Sequence, residues 1–376
     1  MNRPQTVSTG QQGNIDTLSK PWNAALRAIL PVWKTAPNGT LPIEAGLPPI
    51  EVALEKARHR MAFRTVSVDT AHPLVPRLAQ RPRQRGKSAG GLQPIRTRLQ
   101  RAYRMYGQPD RPILLLPRHL PGSLQPVADM AKKAKAKAFE RWWQELPPTD
   151  VVVFSDGSQI EGRTGWGYVI YQNRRTLQCD SGRLGPSEVF DAEAEGALAG
   201  LKGAFRLGLQ RYPIHICLDN TSVVACLRGT PADSSQKAFI QFQALARTAR
   251  VMVHWVPGHS KVQGNEEADH LAKLGTEMTP LGPERPLTIA YVKRTAKEAS
   301  KTLFQRWWTT EGPKHKRWTD LEVAATERCP KWLAMPRSIL HRFLAARSGH
   351  GDFAWYHRKF GHTDARILCS CGRKKT

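Results

Sequence analysis

The sequence predicts an α/β domain over residues 149–277, a five-stranded mixed sheet flanked by helices, set between basic and mostly helical flanking regions. Three observations predict it. Short apolar runs bounded by turn residues recur at Val151–Ser155, Gly165–Tyr171, Thr176–Cys179, Ile214–Leu218 and Val251–Val256, the pattern of buried strands. Helical spacing occupies Pro186–Leu209, Asn220–Leu227, Ala232–Arg250 and Glu266–Gly275. Three hairpin-connected strands followed by helix, strand, helices and strand make a mixed sheet. The third observation is charge. From Val151 to Thr276, 13 Lys/Arg stand against 12 Asp/Glu, while the whole chain carries 57 against 31 for a net +26. Nearly all of the positive excess therefore lies in the flanks.

Length and composition narrow the classes. At 376 residues the chain allows two or three domains. A pI near 10.3 points to a polyanionic partner, nucleic acid first and an anionic membrane second. No apolar run approaches the roughly 18–20 residues of a membrane span, and the polar start lacks the apolar core of a secretory signal. Six scattered cysteines suit a reduced intracellular setting better than a disulfide scaffold. Lys132–Lys137 (KKAKAK) and the arginine block below are either nuclear import signals or electrostatic arms.

The N-terminal flank falls into two parts. Residues 1–70 form a helical region broken by prolines, with Trp22–Trp33 and Leu54–Phe63 at helical spacing. Residues 71–148 form a basic arm and linker helix. Up to Gln108 the arm has no acid and nine cations, from Arg77 to Arg104, around a Gly-Gly pair, the composition of a solvated arm suited to phosphate contacts. Val127–Leu146 then reads as a helix with Phe139, Trp142 and Trp143 inward, stopped by Pro147–Pro148. Residues 278–376 form a basic, aromatic-rich region in which Arg306–Trp318 and His341–His362 interleave cations with aromatics. It ends on Cys369-Ser370-Cys371, a partial metal-binding motif. A structural zinc needs four ligands, and His357 and His362 are the candidates to complete it.

Four acids in the central domain form a constellation. Asp156 and Asp219 each close an apolar strand, and ligands gather at the carboxyl ends of parallel strands. An Asp-Gly pair after a strand is by itself a common turn. Of the acids on the first long helix, Glu193 aligns with Ala197, Gly200, Leu201 and Ala204, a small apolar face, whereas Glu195 aligns with Ala199, Lys202 and Arg206 on the solvent side. A glycine-containing loop bearing His259 precedes a helix opening on Glu266, Glu267 and Asp269. Acids at a helix start suit the macrodipole, which accounts for the first two. Asp269 sits at the border of the packed side marked by Ala268, Leu271, Ala272 and Leu274.

In order and spacing, FSDGS, FDAEAEGALAGL, CLDN and VPGHSKVQGNEEADHLAK resemble type 1 ribonuclease H. The resemblance implies a ribonuclease H-like fold with Asp156, Glu193, Asp219 and Asp269 as catalytic carboxylates and metal ligands, and His259 as the mobile loop histidine. Asn220 departs from the serine found in many relatives, and no basic insertion lies between the helices, so substrate grip is expected from the charged flanks. The N-terminal region and the RSGHGDF…CSCGRKKT ending are similar to segments of fungal non-LTR retrotransposon polyproteins. A polymerase signature is absent, so a reverse transcriptase would lie upstream, and the zinc-knuckle-like ending is cut before its remaining ligands.

Phosphodiester hydrolysis needs a nucleophilic hydroxide and a stabilised leaving oxygen, which two Mg²⁺ ions about 3.5–4 Å apart supply. Mg²⁺ takes oxygen ligands, with Mn²⁺ as a substitute, and binds through carboxylates and substrate phosphate. The resemblance implies that Asp156 bridges the ions, that Glu193 and Asp219 serve the leaving-group ion and Asp269 the water-side ion, and that His259 shuttles a proton or aids product release. The expected reaction is endonucleolytic hydrolysis of the RNA strand of an RNA–DNA hybrid, leaving 5′-phosphates. A catalytically silent nucleic-acid-binding relic and an integrase-like DNA nuclease are the alternatives.

Overall fold

Residues 61–296 form one unit of the chain, and residues 1–60 with 297–376 form another. The structure, a computed structural model, describes residues 9–80, 83–88, 91–115, 132–279, 287–311, 314, 320–321 and 327–375. In chain order the elements are α1 (Thr9–Ile29), α2 (Leu41–Glu44), α3 (Ile50–Ser67), α4 (Leu74–Ala79), β1 (Arg83–Ser88), β2 (Gly91–Ile95), α5 (Arg98–Tyr103) and α6 (Lys132–Glu145). Then follow β3 (Val151–Ile160), β4 (Arg163–Gln172), β5 (Arg175–Arg183), α7 (Val189–Arg206), β6 (Ile214–Leu218), α8 (Thr221–Arg228), α9 (Gln236–Ala246), β7 (Val251–Trp255) and α10 (Gln263–Glu277). The last are α11 (Ile289–Glu311), α12 (Arg337–Ser348) and α13 (Ala354–Lys359).

The sheet of the 61–296 unit has the order β5-β4-β3-β6-β7. β3, β4 and β5 run antiparallel, and β3, β6 and β7 run parallel, so the sheet is mixed as expected. The run Val151–Phe154 is continuous and apolar because both faces of β3 are covered. Val151 and Val153 face a core built with Ala194, Ala197, Leu201 and Ala204 of α7 and with Phe239 and Phe242 of α9. Val152 and Phe154, one residue out of phase, face Val169, Tyr171 and Cys217 together with Ala268 of α10 and Ala136 and Phe139 of α6. Period-two alternation thus feeds two separate helical layers.

Several boundaries differ from the sequence reading. β3 does not stop at Asp156. Its parallel ladder with β6 ends at Phe154↔Cys217, but its antiparallel ladder with β4 continues through Asp156↔Gly167 to Ile160↔Arg163. Those backbone bonds outweigh the local turn preference of Asp-Gly, and the chain reverses instead at Glu161-Gly162, both at positive φ. The Asn173-Arg174 turn stands as read, with φ of 49° and 56° at its two residues, the signature of a tight hairpin. Leu274 is not on the packed side of α10; it is 43% exposed, while Ala268 and Ala272 are fully buried. The arginine block contains a short helix, a two-stranded antiparallel hairpin and a second helix, α4 to α5, rather than a bare arm. Residues 127–131 of the expected linker helix, Arg81 and Gly90 of the arginine block, and most of 312–319 lie outside the described residues.

The four consecutive segments expected from sequence are grouped differently in the second unit, where the two ends of the chain share a core. Leu26, Leu30 and Leu41 pack with Leu340 and Leu344, and Ile43 and Val52 with Phe304. Glu44, 2% exposed, accepts from Arg347 Nε at both carboxylate oxygens (2.8 and 3.1 Å). The same guanidinium lies 4.7 Å from the Trp332 ring centroid. Burial pushes the Glu44 carboxyl above its ordinary range, and Arg347 opposes that shift. A buried pair of this kind costs stability when one partner is removed.

Candidate metal centre

Three elements deliver three carboxylates to one end of the sheet. Asp156 lies on β3 just beyond the parallel ladder, Glu193 on the second turn of α7, and Asp219 immediately after β6. One oxygen from each lies within 4.8 Å of the others. Gly157 is needed here for proximity rather than for a turn. A Cβ at that position would stand 2.8 Å from the Glu193 amide nitrogen and 2.8 Å from the Val189 carbonyl oxygen, so any side chain would push α7 and its glutamate off the strand. Gly258 has the same function on the other side, since a Cβ there would meet Asp219 Oδ2 at 2.0 Å.

Each carboxylate is held differently. Asp156, 7% exposed, accepts from the Gly157 N–H at 2.7 Å. Glu193, 4% exposed, accepts from Asn220 Nδ2 at 3.1 Å through Oε1, while its buried Oε2 has no hydrogen-bond partner. Asn220 does two jobs, because its Oδ1 caps α8 by accepting from the Ser222 and Val223 amides (2.9 and 3.3 Å). Asp219 accepts from the Asn265 side chain, and its backbone carbonyl accepts from Trp255 Nε1 at 2.8 Å. From the sequence, Asn220 is a departure expected to alter local hydrogen bonding rather than metal ligation, and Asn265 is not singled out. The available signal for Asn265 was its position one helical turn before Asp269, on the same face.

Burial dominates the electrostatics. It raises Asp156 to about 7, with the Asp219 charge adding to the effect. It raises Glu193 to about 8 against the opposing Asn220 hydrogen bond. Asp219 is raised by burial too, with His259 and Asn265 pulling it back. Three clustered acids with an unpartnered buried oxygen fit an oxygen-ligated divalent cation, which would supply the missing counter-charge.

Asp269 is near enough to raise Asp156 and Asp219, yet it stands outside the trio. Its Oδ2 accepts from Lys273 Nζ at 2.6 Å, one turn along α10. His259 is exposed at the tip of the loop, at φ 49°. Asp191, a neighbour of Glu193 in sequence, is fully buried and structural: it accepts from Ser234 Oγ (2.6 Å), Ser235 Oγ (2.8 Å) and the Glu188 amide (2.9 Å). The candidate zinc ligands are not gathered. Cys369 and Cys371 are exposed thiols, and His357 instead contacts Asp352 Oδ1 (2.8 Å) and His362 Nδ1 (3.1 Å). Among the described residues, the Asp156–Glu193–Asp219 group is the one whose ligand atoms converge.

These shifts carry a pH dependence whose sign is fixed. Without divalent cation, the folded protein binds more protons than the unfolded chain from about pH 4 up to 7–8, so this contribution weakens folding as pH rises. The buried His215 and His254 act oppositely, but only below their ordinary value of 6.5. Between pH 6.5 and 8 the carboxylates alone remain. In EDTA the 61–296 unit should lose on the order of 2 kcal/mol over that window, seen as a falling melting temperature by circular dichroism. Saturating Mg²⁺ should remove most of the slope, and a flat metal-free profile would contradict the burial described above.

Comparisons with known proteins place this geometry. Residues 148–277, about a third of the chain, match the family model described as RNase H. No curated protein matches the chain. Among solved structures, the N-terminal RNase H domain of a Mycobacterium tuberculosis protein is 28% identical, covering 34% of this chain and 94% of that one at a TM-score of 0.30. LC11-RNase H1, from a compost metagenome and in complex with RNA/DNA hybrid, is 16% identical over 34% of this chain and 96% of that one, TM-score 0.30. Prototype foamy virus protease–reverse transcriptase is 18% identical over 36% of this chain and 22% of that one, TM-score 0.31. Residues 148–277 carry the match to the RNase H family, on a five-stranded mixed sheet flanked by helices that is an RNase H-like fold.

Proposed function

We propose that the 148–277 domain hydrolyses the RNA strand of RNA–DNA hybrids endonucleolytically, leaving 5′-phosphates. The observation that carries this reading is the buried trio Asp156, Glu193 and Asp219, with Glu193 Oε2 unpartnered, inside a segment that matches RNase H. These three side chains would hold the divalent cations, Mg²⁺ with Mn²⁺ as a substitute. When bound, such ions lower the pKa of water and stabilise the departing oxygen. The chain's own residues prepare the site. Asn220 fixes the rotamer of Glu193 and favours its ionised form, and Asn265 does the same for Asp219. Asp269, held by Lys273 in this structure, would serve as a fourth ligand to such a cation. His259, on an exposed loop tip, serves proton transfer or product release. The flanking segments support a place downstream of a reverse transcriptase in a retrotransposon polyprotein.

The test is cleavage of an RNA-labelled hybrid by the full-length protein with Mg²⁺. The hybrid RNA should be cut to 5′-phosphate products, EDTA should stop the reaction, and an all-DNA duplex should survive. Preferential cutting of the duplex would replace this reading with a DNA nuclease. Salt-sensitive binding without cleavage would leave a nucleic-acid-binding relic.

A further inference from the structure

We propose that α6 is a gripping element of this site: Lys135 and Lys137, at the lysine-rich start of a helix docked on the second face of the sheet, bind nucleic-acid backbone phosphates beside the carboxylates. The proposal rests on the reading of the trio as a site acting on a hybrid, and it names where the substrate is held.

The direction of α6 carries the inference. At its far end, the Gln144 carbonyl accepts from Arg174 Nη2 at 2.6 Å, and Arg174 lies in the β4–β5 turn, at the sheet end away from Asp156. In the same last turn, Trp142 lies 5.3 Å from the His215 ring and 4.5 Å from the His254 ring. Near its start, Lys135 Nζ is 5.7 Å from the centroid of the Trp255 ring. Trp255 closes β7, and its indole N–H donates to the carbonyl of Asp219 at 2.8 Å. The helix therefore runs against β3 and brings its first turns to the carboxylate end of the sheet, with one tryptophan between Lys135 and the backbone of Asp219.

The helix is held firmly enough to position a charge. Trp143 packs 4.9 Å from Phe154 and 5.4 Å from Tyr171, and Phe139 lies 6.0 Å from Phe154. Phe154 is two residues from Asp156 on the same strand.

Charge supplies the second argument. The first six residues of α6 read KKAKAK, with no acid in the first turn. Lysines crowded at the positive end of a helix repel each other and the macrodipole, so this arrangement disfavours the isolated helix and becomes favourable beside a polyanion. The strands and helices that build the site are nearly charge-balanced, with 13 cations against 12 acids between Val151 and Thr276, so the domain has little net attraction of its own for phosphates. The loop between α8 and α9, 229–235, contains no Lys or Arg. Lys137 is exposed and Lys135 half-buried beside Trp255, and long lysine stems let the charged heads turn outward. Contacts of this type read the backbone and not the sequence.

Full-length protein carrying Lys135→Ala and Lys137→Ala tests the proposal, against a Lys202→Ala/Arg211→Ala pair that removes the same charge elsewhere. Affinity for a fluorescent hybrid in EDTA is read by anisotropy across 50–200 mM salt, and KM and kcat are read with Mg²⁺. The Lys135/Lys137 pair should weaken binding about tenfold and make the plot of log K against log salt shallower by about 2. KM should rise with kcat retained, and Lys135→Arg/Lys137→Arg should restore both. Affinity and slope equal to wild type, or a loss no greater than that of the control pair, would overturn the grip. A binding loss in the absence of any cleavage by wild type would sustain the grip and overturn the hydrolytic reading, so the two fail separately.

Discussion

Asp156→Asn is expected to lower hybrid cleavage by about 10³-fold or more while raising the melting temperature of the metal-free protein. The two effects have one origin. Asp156 is buried, and its carboxyl is pushed to about 7 chiefly by burial and then by Asp219. An amide of the same shape carries no charge to desolvate and does not repel Asp219, so the metal-free fold at pH 8 gains several degrees. The gain should vanish at pH 5, where the wild-type acid is already protonated. Function moves the other way because a cation ligand is lost. Metal-ion stabilisation of the reacting oxygens is worth several kcal/mol, and each 1.36 kcal/mol is a factor of ten in rate. Paired measurements of cleavage rate and of melting in EDTA decide the matter. A variant that loses activity because it is less stable would remove Asp156 from the cluster role and make it a structural residue.

The second large effect concerns α6. Trp143→Ala in the full chain should cost about 2–3 kcal/mol in chemical denaturation, below the range for truncating a fully buried aromatic because Trp143 is half-buried. Trp143 closes the layer over Phe154 and Tyr171, which are 0% and 2% exposed. A fragment limited to 148–277 keeps α10 over this face but loses Ala136, Phe139, Trp142 and Trp143 of α6, which uncovers the part of the layer around Phe154 and Tyr171. Fully burying one such side chain is worth about 1.5–3 kcal/mol, against a typical total stability of 5–15 kcal/mol. The isolated fragment should therefore be several kcal/mol less stable than a fragment extended through α6. A 148–277 fragment as stable as the extended one would show that α6 is peripheral and would weaken its assignment as a positioned grip.

Much of this was legible in the residues themselves, where a single periodicity decides a single face. Alternation in VVVF, helical spacing through Ala197, Gly200, Leu201 and Ala204, and the charge contrast between centre and flanks are local properties. They suffice to separate Glu193, 4% exposed, from Glu195, which is only half-buried. The same local reasoning misjudged Asp156-Gly157, because a turn preference is a weak term against a ladder of backbone hydrogen bonds supplied by β4. The family resemblance, not local spacing, sets Asp269 beside the other three acids, and in this structure a lysine one turn away holds it at 2.6 Å.

By itself, then, the sequence determined the mixed α/β order, the candidate acids and the basic flanks, since each depends on spacing along one element or on composition. Only the tertiary structure decided the rest. It showed that β3 runs past Asp156 and that Gly157 is there to let α7 approach. It showed that Asn220 and Asn265 hold two of the carboxylates, and that the lysine-rich start of α6 ends beside Trp255 at the site. Those are relations between residues whose separation in sequence ranges from that of Asp156 and Gly167 at one extreme to that of Lys135 and Trp255 at the other. They are set by strand pairing and by which aromatic side chains find room on which face, and no local periodicity encodes either.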